Sequence, residues 1–346
     1  MEVRIYKDFP YEIRDLEQNN KEKLLKSFNS TYDYIRIGPK GYVLFKKYET
    51  EAASIYNMKI RPTDVIVASY QRSGTTWLQE LVWMVLNDVD FERSNAVPLV
   101  ERYSFLDQFM YINDSANEYF LRSNGNTPEI RYMLDEFFNT PAHKKIENVP
   151  GPRFIKTHLP MSLMPRQALD IGKVVYVARD PRDVAVSSYF HAKLFNHTYD
   201  YKGDFKQFWN YFYNDLYTLT PFFEHVKEAW TLRSHPNMLF VFYEEMLKDL
   251  PATIKKVSNF FGKHLTEQQS SELCEHLRIE NFKKNKSVNF ETLKSLNILS
   301  PEESFIRKGK AGGWKDYFDE EMTKQAEEWI ENNLKDTDLR FPNTNN

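Results

Sequence analysis

"VIVASYQRSGTTWLQEL", residues 65–81, runs from a continuous apolar stretch through a polar turn into apolar positions at helical spacing. Val65–Ser69 reads as a strand buried on both faces. Trp77, Leu78, Leu81, Val82, Val85 and Leu86 share one face of a predicted helix. Between them, Gln71-Arg72-Ser73-Gly74-Thr75-Thr76 has the hydroxyls and glycine of a phosphate cradle. It lacks the G-x-x-x-x-G-K-[ST] spacing of a nucleoside triphosphatase. A strand that turns at Gly74 into a helix aims backbone N–H groups and the positive end of the helix dipole at one point. Phosphate or sulfate is favoured there. Ser73, Thr75 and Thr76 add hydroxyl donors, and Arg72 adds a forked, fixed charge. The alternative is an ordinary strand-to-helix turn capped by serine and threonine.

Three further apolar runs, Phe154–Thr157, Val174–Ala178 and Met238–Phe242, also read as buried parallel strands. Helical patterns follow over 183–194, over 221–233 with Pro221 in the first turn, and over 251–265 with Gly262 as a stop. Thr266-x-x-Gln269 forms a capping box for the next helix. The alternation predicts an α/β fold: a single domain with a central parallel sheet flanked by helices. Residues 1–39 are expected to form an N-terminal segment packed on a domain spanning 40–340. Residues 110–150, polar and rich in Asn and aromatics, read as an insertion or lid, and 341–346 as a polar tail.

The net charge of −3 over 346 residues argues against a general nucleic-acid binder, so an anion site must be a local concentration of cations. One cysteine, Cys274, excludes an internal disulfide framework and fits a reducing compartment. The N-terminus is charged throughout without an apolar core, and no apolar run approaches the roughly 20 residues that cross a bilayer. A cytoplasmic protein without a membrane span is therefore expected. Much of the 26 Phe, 21 Tyr and 6 Trp must be core, and this aromatic content also suits a pocket for a flat or lipophilic ligand.

Three more clusters place cations at strand ends or beside glycines. In "RFIKTHLP", 153–160, a strand ends at Lys156-Thr157-His158, where an open α/β sheet holds its ligands. A histidine there suits a general base, although a structural histidine is the commoner case. In "VVYVARDPRDVAVSS", 174–188, a strand runs into Arg179, and Asp183 and Ser187 follow in a helix. Surface ion pairing is the simpler account, but a charge leaving a buried strand costs free energy unless something pairs with it. In "FIRKGKAGGWKDYF", 305–318, Gly309, Gly312 and Gly313 alternate with Arg307, Lys308 and Lys310. This reads either as a loop that approaches a ligand closely or as a flexible basic surface. Together the clusters point to a ligand with two separate anionic groups and a histidine beside one of them. No H-x-x-x-H or C-x-x-C spacing is present, so no metal is expected.

In this order the motifs resemble those of the cytosolic sulfotransferases, from about residue 40 onward. "YQRSGTTWL" is similar to that family's 5′-phosphosulfate loop and "KTHLP" to the strand with its catalytic histidine. "RDPRDVAVS" resembles the 3′-phosphate segment, and "RKGKAGGW" the loop closing over the nucleotide. The resemblance implies transfer of a sulfuryl group from 3′-phosphoadenosine 5′-phosphosulfate (PAPS) to the hydroxyl of a lipophilic or phenolic small molecule. The product 3′,5′-adenosine diphosphate is then left behind. It implies that Arg72, Ser73, Gly74, Thr75 and Thr76 hold the phosphosulfate and that Trp77 stacks on adenine, with Tyr243 in contact. His158 is implied as the base, with Lys156 and Arg72 acting on the transferring group. Arg179, Ser187, Arg307, Lys308 and Gly309 are implied at the 3′-phosphate.

The sequence departs from the family pattern at Arg72, where lysine is usual, and at Gln71, where proline is usual. Leu277 and Ile279 stand at the adenine-side Thr-x-Phe, and Gly313 stands for an aspartate. Asp319-Glu320 replace the Thr-Val of the dimer motif. Within the family, "YQRSGTT", "IRKGKAG" and "DYFDEEMTKQAE" resemble the insect retinol dehydratases, which use PAPS to convert retinol to anhydroretinol. Two other readings compete: a P-loop nucleoside kinase, disfavoured by the missing G-K-[ST], and a non-catalytic carrier of a lipophilic molecule.

Overall fold

The computed structural model describes residues 3–343 except 29–31, 196–197, 291–292, 295, 301 and 303. Two sheets organise it. The first is antiparallel, in the order β1 (Val3–Arg4), β2 (Ile13–Asp15), β3 (Tyr34–Ile37), β4 (Tyr42–Phe45). The second is parallel and contains β5 (Val65–Ala68), β6 (Ser104–Phe105), β7 (Phe154–Thr157), β8 (Lys173–Ala178) and β9 (Met238–Phe242). Its order is β6-β7-β5-β8-β9. All four predicted strands are therefore present, with Ser69 just outside β5 and Lys173 added to β8.

Continuous apolar runs form this sheet because both of its faces are buried. Ile66, Ala68, Val174 and Tyr176 pack into one core, and Val65, Val67, Val175 and Val177 into another. Strand residues alternate in direction, so a run exposed on neither face must be apolar throughout. Register then fixes the position of the polar residues. Ala68 pairs with Thr157 and Tyr176, and Ala178 with Phe242. The residues next along the chain, Ser69, His158, Arg179 and Tyr243, thus leave the sheet at one edge.

The helices follow their local signals. Thr75–Leu86 starts at Gly74, and Pro181–Leu194 begins two residues before the predicted start, capped by Asp180. Phe222–Thr231 has Pro221 as its N-cap, and both hydrogen bonds of the Thr266/Gln269 capping box open Glu267–Leu277. Asp319, in the place of the dimer motif's threonine, accepts from the Met322 N–H and caps Glu320–Leu334. No helix among the described residues is long and apolar enough to cross a membrane.

The antiparallel sheet is a feature that periodicity does not reveal, since its strands are only two to four residues long. The predicted boundary at 39/40 falls in the turn between β3 and β4. The Val43 N–H donates to Thr220 and the Leu219 N–H returns a bond to Val43, docking this sheet before the 222–231 helix. The 110–150 segment is largely helical, with Asp114–Ser123 capped by Asn113 and Pro128–Leu134 capped by Thr127. Its buried residues Phe120, Leu134 and Phe138 pack with Leu194 and Leu299 in a small core of their own. In the predicted tail, Phe341 packs against Phe222, Phe223 and Phe242, and residues 344–346 lie outside the described residues.

One buried ion pair ties the two central strands together where they begin. Arg153 Nε donates to Asp64 Oδ1 at 2.7 Å, and the Arg61 N–H donates to Asp64 Oδ2 at 2.8 Å. Asp64→Ala leaves the Arg153 guanidinium buried without its partner. The unfolding free energy measured in urea should fall by about 3–5 kcal/mol. A change under about 1 kcal/mol would show that the pair does not hold the strand ends.

Candidate active site

The loop after β5 is shaped by two left-handed residues, Arg72 at φ +67° and Gly74 at φ +103°. A Cβ on Gly74 would lie 2.5 Å from Cδ2 of Tyr243, so only glycine lets the loop pass under that ring. The Thr75 hydroxyl bonds Ser69 Oγ at 2.6 Å, and the helix then presents its first N–H groups beyond the strand ends. The Ser73 hydroxyl is buried with no partner among the described residues. The Trp77 indole N–H donates to the Leu277 carbonyl at 2.8 Å, and its ring meets Tyr243 edge-on at 5.7 Å. The Leu277 carbonyl thus holds the Trp77 indole in place. Ile279 lies under Gly309, where a Cβ would come within 2.5 Å of its Cγ2.

His158 is clamped by bonds from three directions. Its Nδ1 lies 3.1 Å from the Ser69 carbonyl, with Ser69 Oγ at 3.3 Å. A carbonyl only accepts, so Nδ1 carries the proton and Nε2 keeps its lone pair. The His158 backbone N–H donates to Asp107 Oδ1 at 3.0 Å, and Thr157 Oγ1 donates to the same oxygen at 2.8 Å. His225 Nε2 donates to the His158 carbonyl at 2.9 Å, while Tyr176 donates to His225 Nδ1 at 2.8 Å. Burial, reinforced by Lys156, pushes His158 well below the ordinary histidine range, so it is a neutral base. Burial also holds His225 down at about 4, which preserves the tautomer that the clamp needs.

The cations crowd the same edge. Arg72 Nε donates to Ser187 Oγ at 3.1 Å and its Nη2 to the Phe305 carbonyl at 2.8 Å, with its guanidinium 4.8 Å from the Phe305 ring. Its side chain therefore turns toward the segments predicted for the second anionic group, where Ser187 and the Phe305 carbonyl both accept from it. Burial, followed by repulsion from Arg179, lowers Arg72 to about 10. Arg179 donates to the Arg72 carbonyl at 3.2 Å and to the Lys310 carbonyl at 3.0 Å, and it covers the Tyr243 ring at 4.4 Å. Its Nε is buried with no partner among the described residues. Lys156 lies 4.1 Å over Phe105 and is lowered to about 8, chiefly by burial.

The 305–318 loop is held onto the start of the 181–194 helix by one carboxylate. Asp183 accepts from the Gly312 N–H at 2.7 Å and the Trp314 N–H at 2.9 Å. A Cβ on Gly313 would sit 3.8 Å from Asp183 Oδ1, so a carboxylate there would face Asp183. Arg307 donates to the Tyr317 hydroxyl at 2.9 Å, and Lys308 pairs with Asp316 at 2.6 Å.

One cavity of about 340 Å³ joins these groups, and every predicted site residue except Ser73 lines it. Its other half is aromatic and apolar, with Phe105, Tyr111, Ile112 and Phe138 from one side and Phe195 and Tyr199 from another. Such a cavity accommodates a lipophilic body beside an anion-binding end. The unpartnered Arg179 Nε, with the glycine-only approaches at 74 and 309, fits a phosphorylated nucleotide at that end. Sequence reasoning missed the contacts that Ser69, Asp107 and His225 make with His158, which come from distant segments.

A family model described as a sulfotransferase domain matches residues 62–338. The chain is 33% identical to the luciferin sulfotransferase of Photinus pyralis over 314 residues, which cover 87% of this chain and 80% of that one. It is 29% identical to sulfotransferase 1B1 of Canis lupus familiaris over 316 residues, 90% of this chain and 98% of the relative. Among solved structures it is similar to retinol dehydratase in complex with retinol and PAP. Identity is 51%, the TM-score is 0.91, and the match covers 97% of this chain and 100% of that one. A second structure of retinol dehydratase, with androsterone and the inactive cofactor PAP, matches with the same values.

Asp107 gives the clamp a pH signature. Burial raises its carboxyl to about 6, against the His158 and Thr157 donors that lower it. An unfolded aspartate titrates near ~3.9, so the fold binds this proton more tightly than the unfolded chain does. Its contribution is present below about pH 4 and is lost as pH rises through about 6. Relative to Asp107→Asn, the wild type should therefore gain stability between pH 7 and pH 4.5. A constant difference across that range would contradict a buried, titrating carboxyl.

Proposed function

This chain belongs to the sulfotransferase family, and from that premise we propose that it transfers a sulfuryl group from PAPS to the hydroxyl of a lipophilic small molecule in the cytoplasm. The observation that carries this reading is the neutral, tautomer-fixed His158 beside a crowd of cations and N–H donors at one mouth of an apolar cavity. PAPS supplies a sulfuryl group already activated on a phosphate leaving group.

The chain's own residues then divide the work. Residues 72–76 hold the 5′ end through helix N–H groups and hydroxyls. Arg179, Ser187, Arg307, Lys308 and Gly309 hold the 3′-phosphate, and Trp77 and Tyr243 flank the adenine. His158 Nε2 takes the acceptor's proton, and the clamp keeps that lone pair aimed while charge develops. Lys156 and the Arg72 fork stabilise charge on the sulfuryl oxygens, with Arg72 leaving its contact to Ser187 to do so. Arginine is a poor proton donor, so Arg72 works by electrostatic clamping rather than as a general acid.

A second reading extends the first. The 51% identity to retinol dehydratase supports an allylic alcohol such as retinol as acceptor. The sulfate ester's C–O bond then breaks with its electron pair leaving on sulfate, and a carbon-bound proton is lost, giving an alkene. Product analysis by mass spectrometry after incubation with PAPS and retinol, a sterol or a phenol distinguishes ester from alkene. Formation of neither from any of these acceptors would overturn the proposal.

His158→Asn should lose roughly 10²–10⁴-fold in turnover while retaining nucleotide affinity. Activity above about a tenth of wild type would assign the histidine a structural role. His225→Phe removes one arm of the clamp and should lower kcat on the order of 10–100-fold without changing nucleotide affinity. An unchanged kcat would show that His225 does not position the base.

A further inference from the structure

A second histidine faces the cavity and is used by neither nucleotide nor base. His191 lies one turn beyond Ser187 on the 181–194 helix and lines the same cavity as His158. Its ring packs against Phe195 at 4.6 Å and Tyr199 at 5.7 Å between centroids. Its Nδ1 is sealed from solvent with no hydrogen-bond partner among the described residues. A proton on Nδ1 would be an N–H buried against nothing that accepts it, which costs about 1–3 kcal/mol. The proton therefore resides on Nε2, the ring nitrogen that is not sealed in this way. Burial, followed by the nearby Arg72, holds His191 well below the ordinary histidine range, so the ring is neutral and carries one proton only.

The two imidazoles of the cavity are then opposite tautomers. His158 commits its Nδ1–H to the Ser69 carbonyl and offers a lone pair at Nε2. His191 keeps an N–H at Nε2. A neutral hydroxyl needs one acceptor for its hydrogen and one donor for its oxygen, and this pair supplies one of each. A hydrocarbon of the same shape satisfies neither. An aldehyde accepts from His191 but has no proton for His158. A protonated amine has no lone pair for His191 and meets the surrounding cations.

We propose that His191 is a specificity residue for the acceptor: its Nε2–H donates to the oxygen of a neutral alcohol whose O–H donates to Nε2 of His158. The chemistry after binding rests on the sulfuryl-transfer reading, but binding itself does not. The site selects uncharged hydroxyl compounds with a lipophilic body, and it holds the corresponding aldehyde through His191 alone.

The test uses the full chain saturated with 3′,5′-adenosine diphosphate. Equilibrium binding is measured for retinol, for retinal and for the hydrocarbon lacking the oxygen. The wild type should prefer retinol to the hydrocarbon. His191→Phe should reduce that preference about 10–100-fold, with the hydrocarbon's own affinity little changed. His191→Gln, which keeps an N–H donor, should restore most of it. A general packing defect would weaken all three ligands together, so an unchanged preference in His191→Phe overturns the proposal. Histidine ¹⁵N resonances at neutral pH provide a second readout. They should show His191 protonated on Nε2 and His158 on Nδ1, and the same tautomer at both would contradict it. If the wild type discriminates as expected yet transfers no sulfuryl group, the sulfuryl-transfer reading fails and the assignment of His191 stands.

Discussion

Two guanidinium groups crowded at one half-buried edge set the terms for the rest of this molecule. Arg72 is pushed down to about 10 by burial and by Arg179, and the groups that receive its N–H bonds are a hydroxyl and a carbonyl. Neither carries charge. Lys156 is lowered as well, chiefly by burial, with Arg72 adding to it. Like charges in a poorly solvated place raise the free energy of the fold, and an anion that pairs with them lowers it. The structure sustains this crowd because both faces of the parallel sheet are buried in large cores, which hold the strand ends in register.

That register also places His158. Ser69 and His158 leave neighbouring strands at the same level, so the carbonyl of one fixes the tautomer of the other. Asp107 and His225 secure the His158 backbone from opposite sides. None of these bonds is strong alone, at about 0.5–1.5 kcal/mol net. Together they restrict a side chain whose value depends on the direction of one lone pair. Asp183 does the corresponding work for the 305–318 loop, bringing Arg307 and Gly309 over the start of the helix that carries Ser187.

Much of this was legible in the residues. The apolar runs at 65, 174 and 238 are strands buried on both faces, which leaves a continuous apolar trace, and the run at 154 is a strand with Phe154 and Lys156 half-buried. The Thr266/Gln269 box and the glycine turn at 74 are local chemistry and stand where they were expected. The clamp was not legible: Ser69, Asp107 and His225 reach His158 across 89, 51 and 67 residues, and no local pattern records such contacts. The antiparallel sheet was missed because its strands are too short for a period to emerge. The helices within 110–150 were obscured by a polar outer face, with their apolar residues spent on a small separate core. His191 gave no motif either; its interest lies in a missing partner, which only packing reveals.

On the proposed reading, the cations and N–H donors at this edge hold both ends of one bisphosphorylated nucleotide without a metal. Calorimetric titration with 3′,5′-adenosine diphosphate and with adenosine 5′-phosphate, in buffer containing a chelator, tests it most directly. The bisphosphate should bind at least about 100-fold more tightly, a difference of roughly 2.7 kcal/mol. Arg179→Ala should remove most of that difference by weakening the bisphosphate alone. Equal affinities for the two nucleotides, or a difference that survives Arg179→Ala, would contradict it.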